Sequence, residues 1–133
     1  MYCFDTDVLS ALLRPAPPLG LVRRLARTDA SEQCTTAITL GELLYGAARI
    51  GSMELAERIA EIVPAAHAVL PFDEAAARSF ADLKASLERA GAPLAEPDLR
   101  IAAIALARDL TLVTCNVRHF KRVPDLRVEN WLE

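Results

Sequence analysis

The chain has 133 residues, 53% hydrophobic and 25% charged, with 5 glycines and 8 prolines. That is one domain's worth of chain, apolar enough to offset its ordering entropy, which excludes disorder, a fibrous repeat and a second core of useful size. The formal net charge of −3 excludes broad electrostatic capture of nucleic acid, so any such contact has to be local or helped by a cation. No apolar run approaches the roughly 20 residues of a membrane span. The opening Met1-Tyr2-Cys3-Phe4-Asp5 meets a carboxylate before any signal-type apolar region develops, so a cytoplasmic protein without a membrane partner is expected.

In chain order, Tyr2 to Phe4 reads as a short strand ending in Asp5, and Val8 to Leu13 takes helical spacing until Pro15 stops it. The connection Arg14-Pro15-Ala16-Pro17-Pro18 leads to a helix near Leu19 to Arg27, then to a brief strand at Gln33 to Thr36. A helix carrying Leu40, Leu43, Leu44 and Ala47 follows, and Ser52 reads as the cap of a further helix through Val63. His67 to Phe72 predicts a buried strand. Asp73 caps a long helix whose Ala76, Phe80, Leu83 and Leu87 keep helical spacing until Gly91. Residues 98 to 108 predict a helix that is apolar on nearly every side and therefore central, and Thr111 to Thr114 and Leu126 to Val128 predict the last strands. Short apolar strands alternating with helices define an α/β fold, a single domain over residues 1–133 with a mainly parallel sheet covered on both faces. Cys3, Cys34 and Cys115 are an odd number without Cys-x-x-Cys spacing; they give neither a disulfide framework nor a zinc site and read as small buried hydrophobes.

In parallel sheets reactive groups collect at the carboxyl edge. Asp5 directly follows the first strand, Glu42 is expected in the first turn of the helix after the second, and Asp98 is expected to open the most buried helix. Each alone has an ordinary explanation: Asp5 or Asp7 as a helix cap, Thr39-Leu40-Gly41-Glu42 as a capping box, Asp98 as a complement to a helix dipole. Together, three acids on one edge would repel one another and take up protons unless a cation neutralised them. All-oxygen ligands suit Mg²⁺ or Mn²⁺. The segment Thr114 to Arg122 adds Asn116, which can offer an oxygen to a metal-bound water, and the cations Arg118, Lys121 and Arg122, with Arg127 further on; His119 is read as an acid or base or as polar surface. Acids holding a dication beside such cations would suit a phosphodiester.

The order of these segments resembles the PIN-domain ribonucleases, and within them the VapC toxins of type II toxin-antitoxin modules. Phe4-Asp5-Thr6-Asp7-Val8-Leu9 resembles the opening Leu-Asp-Thr-Asn-Val-Leu of that family, and Thr39-Leu40-Gly41-Glu42-Leu43-Leu44-Tyr45-Gly46-Ala47 its Thr-Leu-x-Glu-Leu-x-Tyr-Gly-Ala. Asp98 to Ala103, Leu112 to Phe120 and Arg122 to Trp131 follow in the family's order. The resemblance implies a PIN-like α/β/α sandwich and a Mg²⁺- or Mn²⁺-dependent endoribonuclease. In it Asp5 and Asp98 are the principal metal ligands, Glu42 supports the metal or its water, and Asn116 holds the fourth position of the acidic pocket. It also implies a homodimer and a cognate antitoxin whose tail occupies a groove beside the acids, with Leu19 to Arg27 and Leu43 to Ile50 as candidate walls. Two departures stand out: His119 replaces a frequent Glu or Asp, and Glu96-Pro97 stands where Pro-Tyr is common, which leaves open whether Glu96 or His119 supplies the fourth group. Two rival readings use the same first motif. A haloacid dehalogenase-type phosphatase would make Asp5 a covalent nucleophile and Asp7 its acid or base. A non-catalytic receiver-like module would phosphorylate Asp73, with Thr114 and Lys121 responding.

Overall fold

The computed structural model describes residues 1–132. Strand β1 (Tyr2–Phe4) passes directly into α1 (Thr6–Leu12), and α2 (Leu19–Ala26) follows the proline-rich turn. A single turn of 3-10 helix precedes β2 (Gln33–Thr36), then come α3 (Ala37–Arg49), α4 (Met53–Ala66) and β3 (Ala68–Leu70). The second half holds α5 (Glu74–Arg89), α6 (Glu96–Ala107), β4 (Thr111–Val113), α7 (Val117–Phe120) and β5 (Arg127–Glu129). The five strands form one sheet in the order β3-β2-β1-β4-β5, and every pair is parallel. The expected α/β sandwich therefore forms, with a sheet that is wholly rather than mainly parallel.

Side chains alternate between the sheet's two faces. Cys3 and Leu112 join α5 and α6 residues such as Leu83, Leu87, Leu99 and Ile101 on one side. Phe4 and Val113 join Val8, Leu21, Leu43, Ile59 and Trp131 on the other, beneath α1 to α4. Because both faces are covered, the strands can be short, and the adjacent β1 and β4 are buried almost throughout. Helix α6 is central as its composition requires: Ile101 to Ala105 are all fully buried. Caps set the helix starts. Thr36 Oγ1 accepts the Thr39 N–H at 3.0 Å, Ser52 Oγ that of Leu55 at 3.1 Å, and Asp73 Oδ1 that of Ala76 at 3.0 Å. Gly91 ends α5 with φ +68°, which lets the Ala92 N–H return to the Leu87 carbonyl at 2.9 Å.

Several expectations shift. Helix α4 runs past Pro64 to Ala66, and the His67 N–H still returns to the Val63 carbonyl at 3.0 Å, so the missing proline donor does not end the helix. Strand β3 is three residues long and lies at the sheet's edge, partly exposed rather than buried, because only β2 pairs with it. Helix α6 begins at Glu96, so Asp98 sits inside its first turn instead of opening it. Thr36 is the cap of α3, which puts Glu42 in the second turn and removes the capping-box reading of Thr39 to Glu42. Cys3 and Cys34 are buried as expected, but Cys115 is exposed because it lies beyond the end of β4. Among the described residues no helix is long and apolar enough to cross a membrane.

His67, at the junction of α4 and β3, is buried edge-on against Phe4 with ring centroids 5.3 Å apart, and neither ring nitrogen has a hydrogen-bond partner. Burial pushes its pKa below the usual imidazole value. The unfolded chain therefore takes up a proton first, and the folded state loses stability as pH falls through about 6.5 toward the lowered value. Replacing His67 with Phe removes two unsatisfied polar atoms, so the variant should be the more stable protein at pH 8, by about 1–2 kcal/mol. Thermal melts from pH 8 to pH 5 should show that advantage widening toward acid; a constant or shrinking difference would contradict the assignment.

Candidate active site

The strand order reverses direction between β1 and β4, so the carboxyl ends of these two strands flank the natural crevice of the sheet. Asp5 stands at the end of β1. It is only 6% exposed, and its backbone N–H continues the ladder to the Val113 carbonyl at 2.9 Å. One carboxylate oxygen caps α1 by accepting the Thr6 N–H at 2.8 Å, and the other accepts the hydroxyl of the fully buried Thr114 at 2.8 Å. The same Thr114 oxygen accepts the Asn116 N–H at 3.0 Å, which fixes the turn leaving β4. Asp7, in the first turn of α1, accepts the Cys115 N–H at 3.0 Å and lies 3.3 Å from the Thr114 hydroxyl.

Glu42 reaches this cluster from α3: its Oε1 accepts the Thr6 hydroxyl at 2.7 Å. Asp98 reaches it from α6 and is held by His119, whose Nε2 lies 3.0 Å from Oδ2. Burial first, then the charge of Asp7 and, more weakly, of Asp98, push the Asp5 carboxyl up to about 7, against the opposing hydrogen bonds from Thr114 and Thr6. The Cys115 thiol is pushed up to about 11 by burial, the Asp7 charge and its hydrogen bond to Asp7, with the Arg14 cation counteracting from nearby.

The structure thus brings Asp5, Glu42 and Asp98 to one edge, but it does not close them into a ligand cage. Among the described residues no three acidic, histidine or cysteine side chains converge tightly enough to form a metal cluster. What remains is an all-oxygen donor set of one or two carboxylates with room for water. That composition fits Mg²⁺, which keeps several waters, better than a cation that needs a full protein shell. Among the described residues neither Asp5, Asp7 nor Glu42 pairs with a Lys or Arg, so the local negative charge is uncompensated by protein.

Asn116 caps the short α7 without a side-chain capping bond, and Arg118 and Lys121 are exposed on and just after it, with no ion pair among the described residues. Arg122 instead donates to the Pro93 carbonyl at 3.2 Å. Arg127 is not beside the acids: it bonds Asp109 at 3.0 Å and Thr111 at 3.2 Å, at the amino ends of the strands. Glu96 is held by Lys84 and by Arg100 at 3.6 Å, whereas His119 Nε2 contacts Asp98 directly at 3.0 Å. Asp73 caps α5 and pairs with Arg108 at the opposite end of α6 from Asp98, so the receiver-like arrangement does not form. Sequence reasoning undervalued Thr6, Asp7 and Thr114. The spacing Asp5-Thr6-Asp7 across a strand-to-helix junction was the available signal for the first two; Thr114 depends on the β1–β4 register.

A family model described as the PIN domain matches residues 2–126. The chain belongs to the PIN-domain family. Within it, the chain groups with the VapC ribonucleases. It is 36% identical to the tRNA(fMet)-specific endonuclease VapC of Salmonella typhimurium, covering 98% of this chain and 97% of that one. It is 33% identical to Ribonuclease VapC2 of Haemophilus influenzae, over 98% of each. Among solved structures, VapBC2 from Rickettsia felis bound to a DNA fragment from their promoter aligns with a TM-score of 0.88 at 28% identity, over 98% of each chain.

The raised Asp5 pKa carries a sign. Below the ordinary carboxylate value, Asp5 is neutral folded and unfolded; between about 4 and 7 the unfolded chain ionises while the folded one keeps its proton, so stability declines as pH rises through that window and stays low above it. Asp5→Asn, which can keep the cap and the Thr114 contact, should stabilise the protein at pH 7.5 without divalent cations by on the order of 2 kcal/mol. Melting curves should show that gain vanishing near pH 4; a destabilised variant at pH 7.5 would refute the assignment.

Proposed function

We propose that this chain is a Mg²⁺- or Mn²⁺-dependent endoribonuclease acting as the toxin of a toxin-antitoxin module in the cytoplasm. The observation that carries the reading is a buried carboxylate, Asp5, which pairs with no Lys or Arg among the described residues, is tied by Thr114 to the end of β4 and faces the charges of Asp7 and Asp98, in a chain of the VapC group. Asp5 and Asp98 would hold the cation, with Glu42 supporting it or its water and Asn116 offering an amide oxygen at the rim. A bound dication supplies charge stabilisation at the phosphoryl group and an acidified water.

The protein's own groups do the positioning. Thr6 bridges α1 and α3 by donating its backbone N–H to Asp5 and its hydroxyl to Glu42, which holds those two acids in fixed relation. Thr114 does the same between Asp5 and the turn carrying Asn116. His119 occupies one oxygen of Asp98 and leaves the second for other partners. Arg118 and Lys121 are free to meet RNA phosphates beside the acids, with Arg122 reaching them only on leaving Pro93.

A groove of about 300 Å³ opens beside Glu42, lined by Thr6, Leu13 and Arg14 of the first helical segment, Leu43 of α3 and Leu55 and Ile59 of α4. Its apolar floor suits the tail of an antitoxin, and the α3 wall agrees with the expected one while α2 contributes nothing to it. A homodimer belongs to the same reading. The rival dehalogenase reading is not favoured: its acid or base, Asp7, is already engaged by the Cys115 N–H, and it gives Glu42 no task.

Purified protein freed of any antitoxin should cleave RNA with Mg²⁺ or Mn²⁺ and not in EDTA. Asp5→Asn and Asp98→Asn should each lower the rate by about 10³-fold, the scale of several kcal/mol of lost charge stabilisation, while circular dichroism shows both folded. A wild-type protein inert toward RNA with both cations, or a phosphorylated Asp5, would overturn the reading.

A further inference from the structure

Helix α2 carries Arg23 and Arg24 in its last turn and is capped by Arg27, in a chain whose net charge is −3. These arginines line, with Gly20 and Thr28, an open concavity of about 580 Å³. The floor is low at Gly20, where an added Cβ would meet nothing within 4 Å. Arg23 and Arg27, one turn apart and exposed, form no ion pair among the described residues. Arg24 is anchored: Nη2 lies 2.7 Å from Glu129 Oε1 and the guanidinium stacks 4.4 Å from the Trp131 ring centroid, yet its side chain stays 48% exposed.

That anchor fixes where the basic face lies relative to the acids. The Glu129 carbonyl accepts the Thr114 N–H at 3.0 Å, and the Thr114 hydroxyl donates to Asp5 at 2.8 Å. Arg24 is therefore tied to the strand adjoining the one that ends at the crevice, and Arg23 and Arg27 stand on either side of it in sequence, at the end of α2. None of these residues lines the apolar groove beside Glu42.

We propose that Arg23, Arg24 and Arg27 form a phosphate-binding strip that holds the RNA backbone outside the cleaved bond, a proposal that rests on the ribonuclease reading. Charge complementarity selects a polyanion: guanidinium forks match phosphate oxygens, and Arg24 is already immobilised, so little further side-chain entropy is lost when phosphate binds. The location predicts a division of labour. Residues around Asp5 decide the rate of cleavage, and the α2 strip decides how tightly an RNA long enough to reach it is held.

The test uses the full chain with Asp98→Asn to prevent cleavage, and tRNA(fMet) and an RNA tetranucleotide, both fluorescently labelled, as probes. Binding is followed by anisotropy across a salt series. Replacing Arg23 and Arg27 together with Ala, and leaving the packed Arg24, should lower tRNA affinity about tenfold or more and reduce the slope of log K against log salt by about 1.5–2, while tetranucleotide binding is unchanged. The corresponding double Lys variant should recover most of the slope. In the cleavage-competent background the Ala pair should raise KM for long RNA with kcat unaltered. An unaltered salt slope overturns the strip, as does an unaltered slope with lost binding of the antitoxin, which would make α2 a protein-docking face. Failure of the ribonuclease reading shows separately, as wild-type protein that cleaves neither RNA with either cation.

Discussion

A carboxylate buried at the end of the central strand β1, where it adjoins β4, is the constraint around which the rest of the molecule is arranged. Asp5 is nearly inaccessible, faces two like charges and meets no Lys or Arg among the described residues, so holding it there opposes folding. Two hydrogen bonds, from the Thr6 N–H and the Thr114 hydroxyl, offset part of that cost. The remainder has to come from the apolar core on both faces of the sheet. On the proposed reading, a cation held by Asp5 would offset what remains, which would tie the stability of the fold to the chemistry of the site.

The two faces of the sheet divide the work. On one, α6 lies fully buried from Ile101 to Ala105 and packs with α5, giving Asp98 a rigid base. On the other, α1 to α4 enclose a second core but leave an apolar groove beside Glu42 and an arginine-bearing helix near β5. Charge is distributed in the same spirit: the acids gather at the crevice, and the free cations stand at its margins on α7 and α2. A molecule of net negative charge can in this way present local positive potential to a polyanion without attracting one everywhere.

His119 distinguishes this site from a pocket of four acids. Its ring Nε2 lies 3.0 Å from Asp98 Oδ2, where another carboxylate would have set like charge against like. Glu96, which could have restored a fourth carboxylate, is instead engaged by Lys84 and Arg100.

Local chemistry was legible without coordinates wherever near neighbours decide it. The alternation of strands and helices, the parallel sheet, the caps at Ser52 and Asp73 and the central position of α6 all follow from spacing and composition. The acids Asp5, Glu42 and Asp98 could be picked out because each lies after a strand or within the early turns of a helix at the expected edge. What depended on long-range register could not be read: that Thr114 bonds Asp5, that Thr6 bonds Glu42 across 36 positions, that Arg127 falls at the opposite end of the strands, and that Cys115 emerges into solvent. Spacing along a chain fixes which face a side chain takes within its own helix or strand. Its partner across the sheet is fixed only when the strands pair and set one register, and the preferences of neighbouring residues carry no record of that choice.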